Sequence, residues 1–148
     1  MLKPFLIVPA LLLMVPAFCQ ETQPAQSAPP AAGQGISAIP AEYLTMANPV
    51  RPTEASQTRA KQIYGWDCAM CHSDNGDGKG DVATEQKLSM HDFHDSLKTL
   101  SDGQIFYIIH NGEGQQMPSE GPRAKTDEVW NLVIYLRKMS ATQTPAAQ

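Results

Sequence analysis

The sequence predicts an all-α domain built on three main helices and preceded by a disordered linker. Apolar residues recur at helical spacing in three stretches between positions 53 and 140, each opening on a capping residue. No run of alternating apolar and polar residues is long enough for a strand, and no internal repeat is present. Residues 20–40 are mostly Pro, Ala, Gln, Ser and Gly, with Glu21 as the one acidic residue and no aromatic. Such a segment buries too little apolar area to offset the entropy of ordering it.

In chain order, residues 1–19 read as a signal peptide. Met1-Leu2-Lys3 gives a positive start, and the apolar run over residues 4–15 is too short to span a bilayer. Cleavage after Ala17 and cleavage after Cys19 both fit a small-x-small rule. A lipid on Cys19, making the chain a lipoprotein, is the alternative, although Pro16 and Phe18 are not the neighbours that such a site favours. Residues 20–52 form a Pro/Ala-rich flexible linker and an extended lead-in, in which Asn48-Pro49-Val50-Arg51-Pro52 conducts the chain to the first helix. Residues 53–140 form the helical domain, and residues 141–148 a frayed polar tail. A chain of 148 residues has room for one such domain with a real core.

The first helix starts at a Thr53 cap with Glu54 in its first turn, and carries Ala60, Ile63 and Tyr64 toward Cys68 and Cys71. The second opens on the capping box Ser101-Asp102-Gly103-Gln104. It buries Ile105, Ile108 and Ile109 and stops at a left-handed Asn111-Gly112. The third runs from a Thr126 cap through Asp127 and Glu128, suited to the positive helix start, to Arg137 and Lys138, suited to the negative end. Its inner stripe is Val129, Leu132, Val133 and Leu136. Loops separate the helices: residues 73–81 are polar and glycine-rich, and residues 112–122 hold three glycines and two prolines.

The full chain has 11 basic and 15 acidic residues, and removing residues 1–19 takes away only Lys3, leaving 10 against 15, a net of −5. That balance excludes nucleic acid as a partner and leaves the lipid on Cys19 as the only expected route to a membrane. It favours a redox protein presenting a basic docking face.

Cys68-Ala69-Met70-Cys71-His72 carries the chemistry. Two thiols three positions apart on a helical turn reach the two vinyl groups of one haem and form thioethers, while the next imidazole meets the iron. A thioredoxin-like pair needs an alternating strand-helix pattern, and a structural zinc site needs a second ligand pair; neither is present. The expected cofactor is therefore one covalent haem c, exported with the chain to the periplasm or beyond.

An electron carrier keeps both axial positions filled, and thioether sulfur stabilises reduced iron. Downstream of His72 stand Met90, Met117 and Met139. Met139 closes a helix stripe, and Met90 lies beside His91 in a polar stretch without obvious support. Met117 sits in Gly112-Glu113-Gly114-Gln115-Gln116-Met117-Pro118, where glycines let backbone approach a planar group and the proline stiffens the turn, so Met117 is the expected sixth ligand. His91, His94 and His110 are the bis-histidine competitors, each better read as a solvated or hydrogen-bonded group. A calcium loop between Asp74 and Glu85 fails, because Gly76 and Gly78 offer no side-chain oxygen at the third and fifth positions.

Together the Cys68-to-His72 motif, the Met117-Pro118 pair and the helix Asn131-Leu132-Val133-Ile134-Tyr135-Leu136-Arg137 resemble the class I monohaem cytochrome c family over residues 53–140. The resemblance implies a cytochrome c fold around one covalently bound haem. It also implies that the first helix crosses the last with Ala60 and Tyr64 facing Leu132 and Tyr135, Ala60 standing where the family often has glycine. The expected function is electron transfer by a periplasmic or membrane-tethered carrier, with no catalytic residue. The alternatives are a haem subunit of a larger periplasmic dehydrogenase or oxidase and, further off, a haem peroxidase or ligand sensor with an open sixth position.

Overall fold

Thr53 starts the first helix by a reciprocal cap. Its hydroxyl accepts from the Ser56 N–H at 3.1 Å, and the Ser56 hydroxyl accepts from the Thr53 N–H at 2.9 Å. In this computed structural model, which describes residues 39–142, helix α1 then spans Glu54–Ile63. The expected signal peptide, Cys19, most of the linker and the last six residues of the tail lie outside the described residues.

α1 does not simply end. The Ala69 N–H bonds the Tyr64 carbonyl five residues back, closing a π-turn over Tyr64–Cys68, and a last turn α2 follows over Ala69–His72. A π-turn inserts one residue into a helical turn and rotates everything after it, a device common at functional sites. Here it sends Trp66 outward beneath the Arg59 guanidinium, 5.5 Å from the ring centre, and keeps Tyr64 buried.

Two short helices follow, α3 over Asp81–Gln86 and α4 over Phe93–Ser96, the latter capped by the Asp92 carboxylate accepting from the His94 N–H. α5 spans Asp102–Asn111 with the Ser101/Gln104 capping box formed in both directions. It buries Ile105, Phe106 and Ile109, while Ile108 is only half-buried. Gly112 ends it at φ 78° and ψ 175°, so the chain leaves extended with positive φ rather than in the left-handed helical cap that Asn-Gly suggests.

α6 spans Thr126–Ala141, beginning at the residue expected as its cap, with Lys125 as the cap instead. Lys125 holds the extended cap conformation, and Glu128 reaches back to accept from the Lys125 N–H at 2.9 Å, so Thr126 already lies within the helix. Val129, Leu132, Val133 and Leu136 are buried as the stripe predicts. Removing such side chains from water is worth roughly 2 kcal/mol each.

α6 is the axle of the molecule. α1 crosses it with Ala60 and Ile63 buried and the Tyr64 and Tyr135 rings 5.5 Å apart. α5 packs on it by stacking Phe106 on Trp130 at 4.0 Å. Ser56 and Gln57 donate to the Asn131 side chain, satisfying a buried amide at the crossing. Arg137 does more than face the helix dipole: it donates to Asp102 at 2.9 Å, to the Leu100 carbonyl at 2.6 Å and to the Leu97 carbonyl. Upstream, a 3₁₀ turn at Ala41–Leu44 sets Tyr43 against Phe106 and Tyr107, and Gly103 donates to the Met46 carbonyl at 3.0 Å. A Cβ on Gly103 would stand 2.5 Å from the Tyr43 carbonyl oxygen, so only glycine permits that approach. Among the described residues the one extended pairing is the Glu113–Met117 bridge, as an all-α chain requires.

Candidate cofactor site

The π-turn and α2 present Cys68, Cys71 and His72 in sequence, and the loop after them keeps the group in place. Gly78 donates to the His72 carbonyl and Gly80 to the Cys71 carbonyl, both at 3.1 Å, satisfying the end of α2. A Cβ on Gly80 would meet the Met70 carbonyl oxygen at 2.4 Å, so that approach too demands glycine.

Both cysteines are free and half-buried. Burial, followed by the charges of Glu120 and Asp67, pushes the Cys68 thiol up to about 12. It therefore stays protonated at neutral pH, which argues against a thiolate nucleophile or a dithiol redox pair. His72 moves the other way: burial, then His91, lowers it to about 4. A neutral imidazole is the form that ligates a metal. Its ring stacks on Phe93 at 4.5 Å, and its Nδ1 is enclosed with no hydrogen-bond partner among the described residues.

Met117 faces these groups from the loop after α5. Glu113 and Met117 exchange backbone hydrogen bonds at 3.0 and 3.2 Å, pinching residues 113–117 into a closed turn. Gly112 makes the pinch close, since a Cβ there would lie 2.5 Å from the Met117 carbonyl oxygen. Cys68, Cys71, His72 and Met117 line one cavity, about 70 Å³, walled by Ile109, Leu132 and Leu136. A second cavity of about 290 Å³ shares His72, Met117, Ile109 and Leu136 and continues toward Leu97 and Ile105.

The competing ligands separate by position. Met139 sits against Gly76, on another face. His94 is buried with its Nδ1 2.6 Å from Asp92, and His110 stacks on Phe106 at 5.4 Å. Met90 lines the first cavity and the exposed His91 the second, so these two share the space with Met117.

Asp67, Glu120 and Arg123 also line the first cavity, and sequence reasoning missed them as site residues. Glu120 is a buried carboxylate bonded to Arg123, and nothing in a run of glycine and proline marks one acid as inward-facing. Tyr64, expected only as a packing residue, donates its hydroxyl to the Ser73 carbonyl at 2.5 Å, and burial raises its phenol well above the ordinary value.

An apolar cleft with two free thiols and a neutral imidazole, shared with a thioether on a glycine-bounded turn, fits a covalently held haem. The donor set is imidazole and soft sulfur, and the walls are mainly apolar.

Residues 55–136 match the family described as cytochrome C oxidase, cbb3-type, subunit III. The chain is 25% identical over 113 residues to the cbb3-type cytochrome c oxidase subunit FixP of Azorhizobium caulinodans, covering 70% of this chain and 34% of that protein. It thus spans about a third of that relative's length. Among solved structures it is similar to the reducing HAO-like protein complex of Kuenenia stuttgartiensis, with a TM-score of 0.53 and 28% identity over 62% of this chain and 46% of the other.

Proposed function

This chain belongs to the cbb3-type cytochrome c oxidase subunit III family, and from that premise we propose that it carries single electrons through one covalently held haem c. Cys68 and Cys71 hold the group by thioether bonds, and His72 and Met117 ligate the iron. The observation that carries the reading is the convergence of two free thiols, a neutral buried imidazole and a loop thioether on one apolar cleft.

Bound there, the haem supplies an iron centre that gains and loses one electron. The protein's part is to keep that change small in structure. His72 is wedged against Phe93 and the Met117 turn is closed by two backbone bonds, which limits how far either ligand moves between oxidation states. Ile109, Leu132 and Leu136 give the cleft an apolar wall, which lowers the share of solvent in the reorganisation around the iron. No residue is assigned a catalytic role, and a filled sixth position disfavours the peroxidase and sensor readings.

The electron donor and acceptor are proteins, and the acidic surface favours a basic docking face. The setting is the periplasm, reached through residues 1–19, with lipid on Cys19 as an optional tether. The second reading is a haem subunit of an oxidase. It is supported by the family to which the chain belongs and by the match to a portion of FixP. Size-exclusion of native extract separates the two, because a permanent subunit elutes with its enzyme.

Expression with an intact haem-ligation system should give the polypeptide mass plus one haem, and the oxidised protein should show the weak far-red band of iron-to-methionine-sulfur bonding. Met117→Ala should lose that band. A bare polypeptide mass sinks the whole reading, while a band that survives in Met117→Ala sinks the ligand assignment alone.

A further inference from the structure

We propose that Asp67, Arg123 and Glu120 form a charged clasp holding the Met117 turn against the attachment turn, which makes Arg123 a positioning residue for the sixth ligand. This rests on the reading of Met117 as that ligand.

The Met117 turn needs an outside hold. Gly112 and Gly114 both take positive φ, residues 114–116 are exposed, and the turn's backbone closure is the single pair of bonds between Glu113 and Met117. Glu120 follows Met117 by three residues, and its backbone is pinned, with its N–H donating to Ile109 at 2.9 Å and its carbonyl accepting from Arg123 and Ala124 at 2.9 Å. Its carboxylate is 7% exposed, and a buried charge of that kind is retained only with a partner.

Arg123 is the partner, donating from Nη2 to Glu120. Its other terminal nitrogen, Nη1, lies 3.8 Å from Asp67, which sits in the π-turn directly before Cys68. One guanidinium thus bridges the ligand loop and the attachment turn, with its planar fork reaching one carboxylate from each. All three side chains line the cavity shared by Cys68 and Met117, and Glu120 is the charge that acts most strongly on the Cys68 thiol. The outer ion pair, half in solvent, is the weaker joint. The buried one is the anchor.

Imidazole titration of the full-length holoprotein tests this, since imidazole binds iron only as the methionine sulfur lets go. Arg123→Ala should bind imidazole about tenfold more tightly than the wild type, and Asp67→Asn should shift the same way by a smaller factor. Arg123→Lys, a point charge in place of a fork, should fall between wild type and alanine. In a Met117→Ala background Arg123→Ala should add nothing, because the clasp acts through that sulfur. A purely structural role would lower denaturant stability and leave imidazole affinity unmoved.

Should Arg123→Ala fail to accumulate as holoprotein, unchanged imidazole affinity in both Asp67→Asn and Arg123→Lys overturns the clasp, and tighter binding in either supports it. Equal, additive tightening in the Met117→Ala background overturns it too. If Met117→Ala itself binds imidazole no better than the wild type, the ligand assignment has failed and the clasp goes with it.

Discussion

One glycine decides whether the attachment turn can close against its loop. A Cβ on Gly80 would sit 2.4 Å from the Met70 carbonyl oxygen and 2.7 Å from that of Ala69, both backbone atoms of the helical turn that carries Cys71 and His72. Neither atom can step aside without moving the motif. Gly80→Ala should therefore cost about 2 kcal/mol or more in denaturant stability and lower the yield of haem-bearing protein. Gly65→Ala, inside the π-turn but with nothing within 4 Å of its Cβ, should be tolerated. Parallel denaturation curves and haem-to-protein ratios for the two variants check the contrast. Equal behaviour would mean that close approach is not what selects glycine at position 80. The Cys-His motif was legible because each residue type announces its chemistry. Gly80 was legible only as part of a glycine-rich loop, since which backbone passes beside it is a property of the fold.

At the scale of elements, the start of α6 links capping to pH. Glu128 accepts from Arg59 at 2.8 Å and from the Lys125 N–H at 2.9 Å, and these bonds, the Arg59 bond first, hold its carboxyl below the ordinary value. A lowered folded pKa means that the unfolded chain takes up the proton first as pH falls. The contribution is whole above the ordinary carboxylate range and disappears as pH drops through the lowered value. Arg59 is 43% exposed and Glu128 21%, so solvent screens the pair, and Glu128→Gln should cost only about 1 kcal/mol at pH 7. That gap should narrow and close as stability is followed down into strong acid, and a gap that stays constant would show that the loss is packing rather than charge.

The same helix shows what pattern could and could not yield. Its buried stripe followed from spacing because burial repeats with the helical period. Its first residue did not, because a Lys cap supported by a glutamate three positions later leaves Thr126 looking like the better start. α3 and α4 went unread for a related reason: six and four residues are too short to show a period, and Lys87 ends α3 in a left-handed cap without the usual glycine. The π-turn has no composition of its own, and only the bond from Ala69 to Tyr64 reveals it.

On the scale of the whole molecule, the lead-in is part of the packed unit. Tyr43 lies 4.9 Å from Tyr107 and 6.3 Å from Phe106, ring centre to ring centre, and Asn48 donates to the Trp130 carbonyl at 3.0 Å across 82 positions of sequence. These contacts fall on the side of α5 and α6 away from the cleft, and neither Tyr43 nor Asn48 lines a cavity with His72. Fold stability and haem ligation should therefore separate here. Tyr43→Ala removes a half-buried aromatic from two partners and should cost about 2 kcal/mol, less than a fully buried ring because part of Tyr43 already faces water. The far-red band and the imidazole affinity should stay at their wild-type values, the reverse of what Arg123→Ala should do. A Tyr43→Ala protein that lost the band would mean that the lead-in reaches the cleft through α5, by shifting Ile109 and the Gly112 turn against which Met117 is pinned.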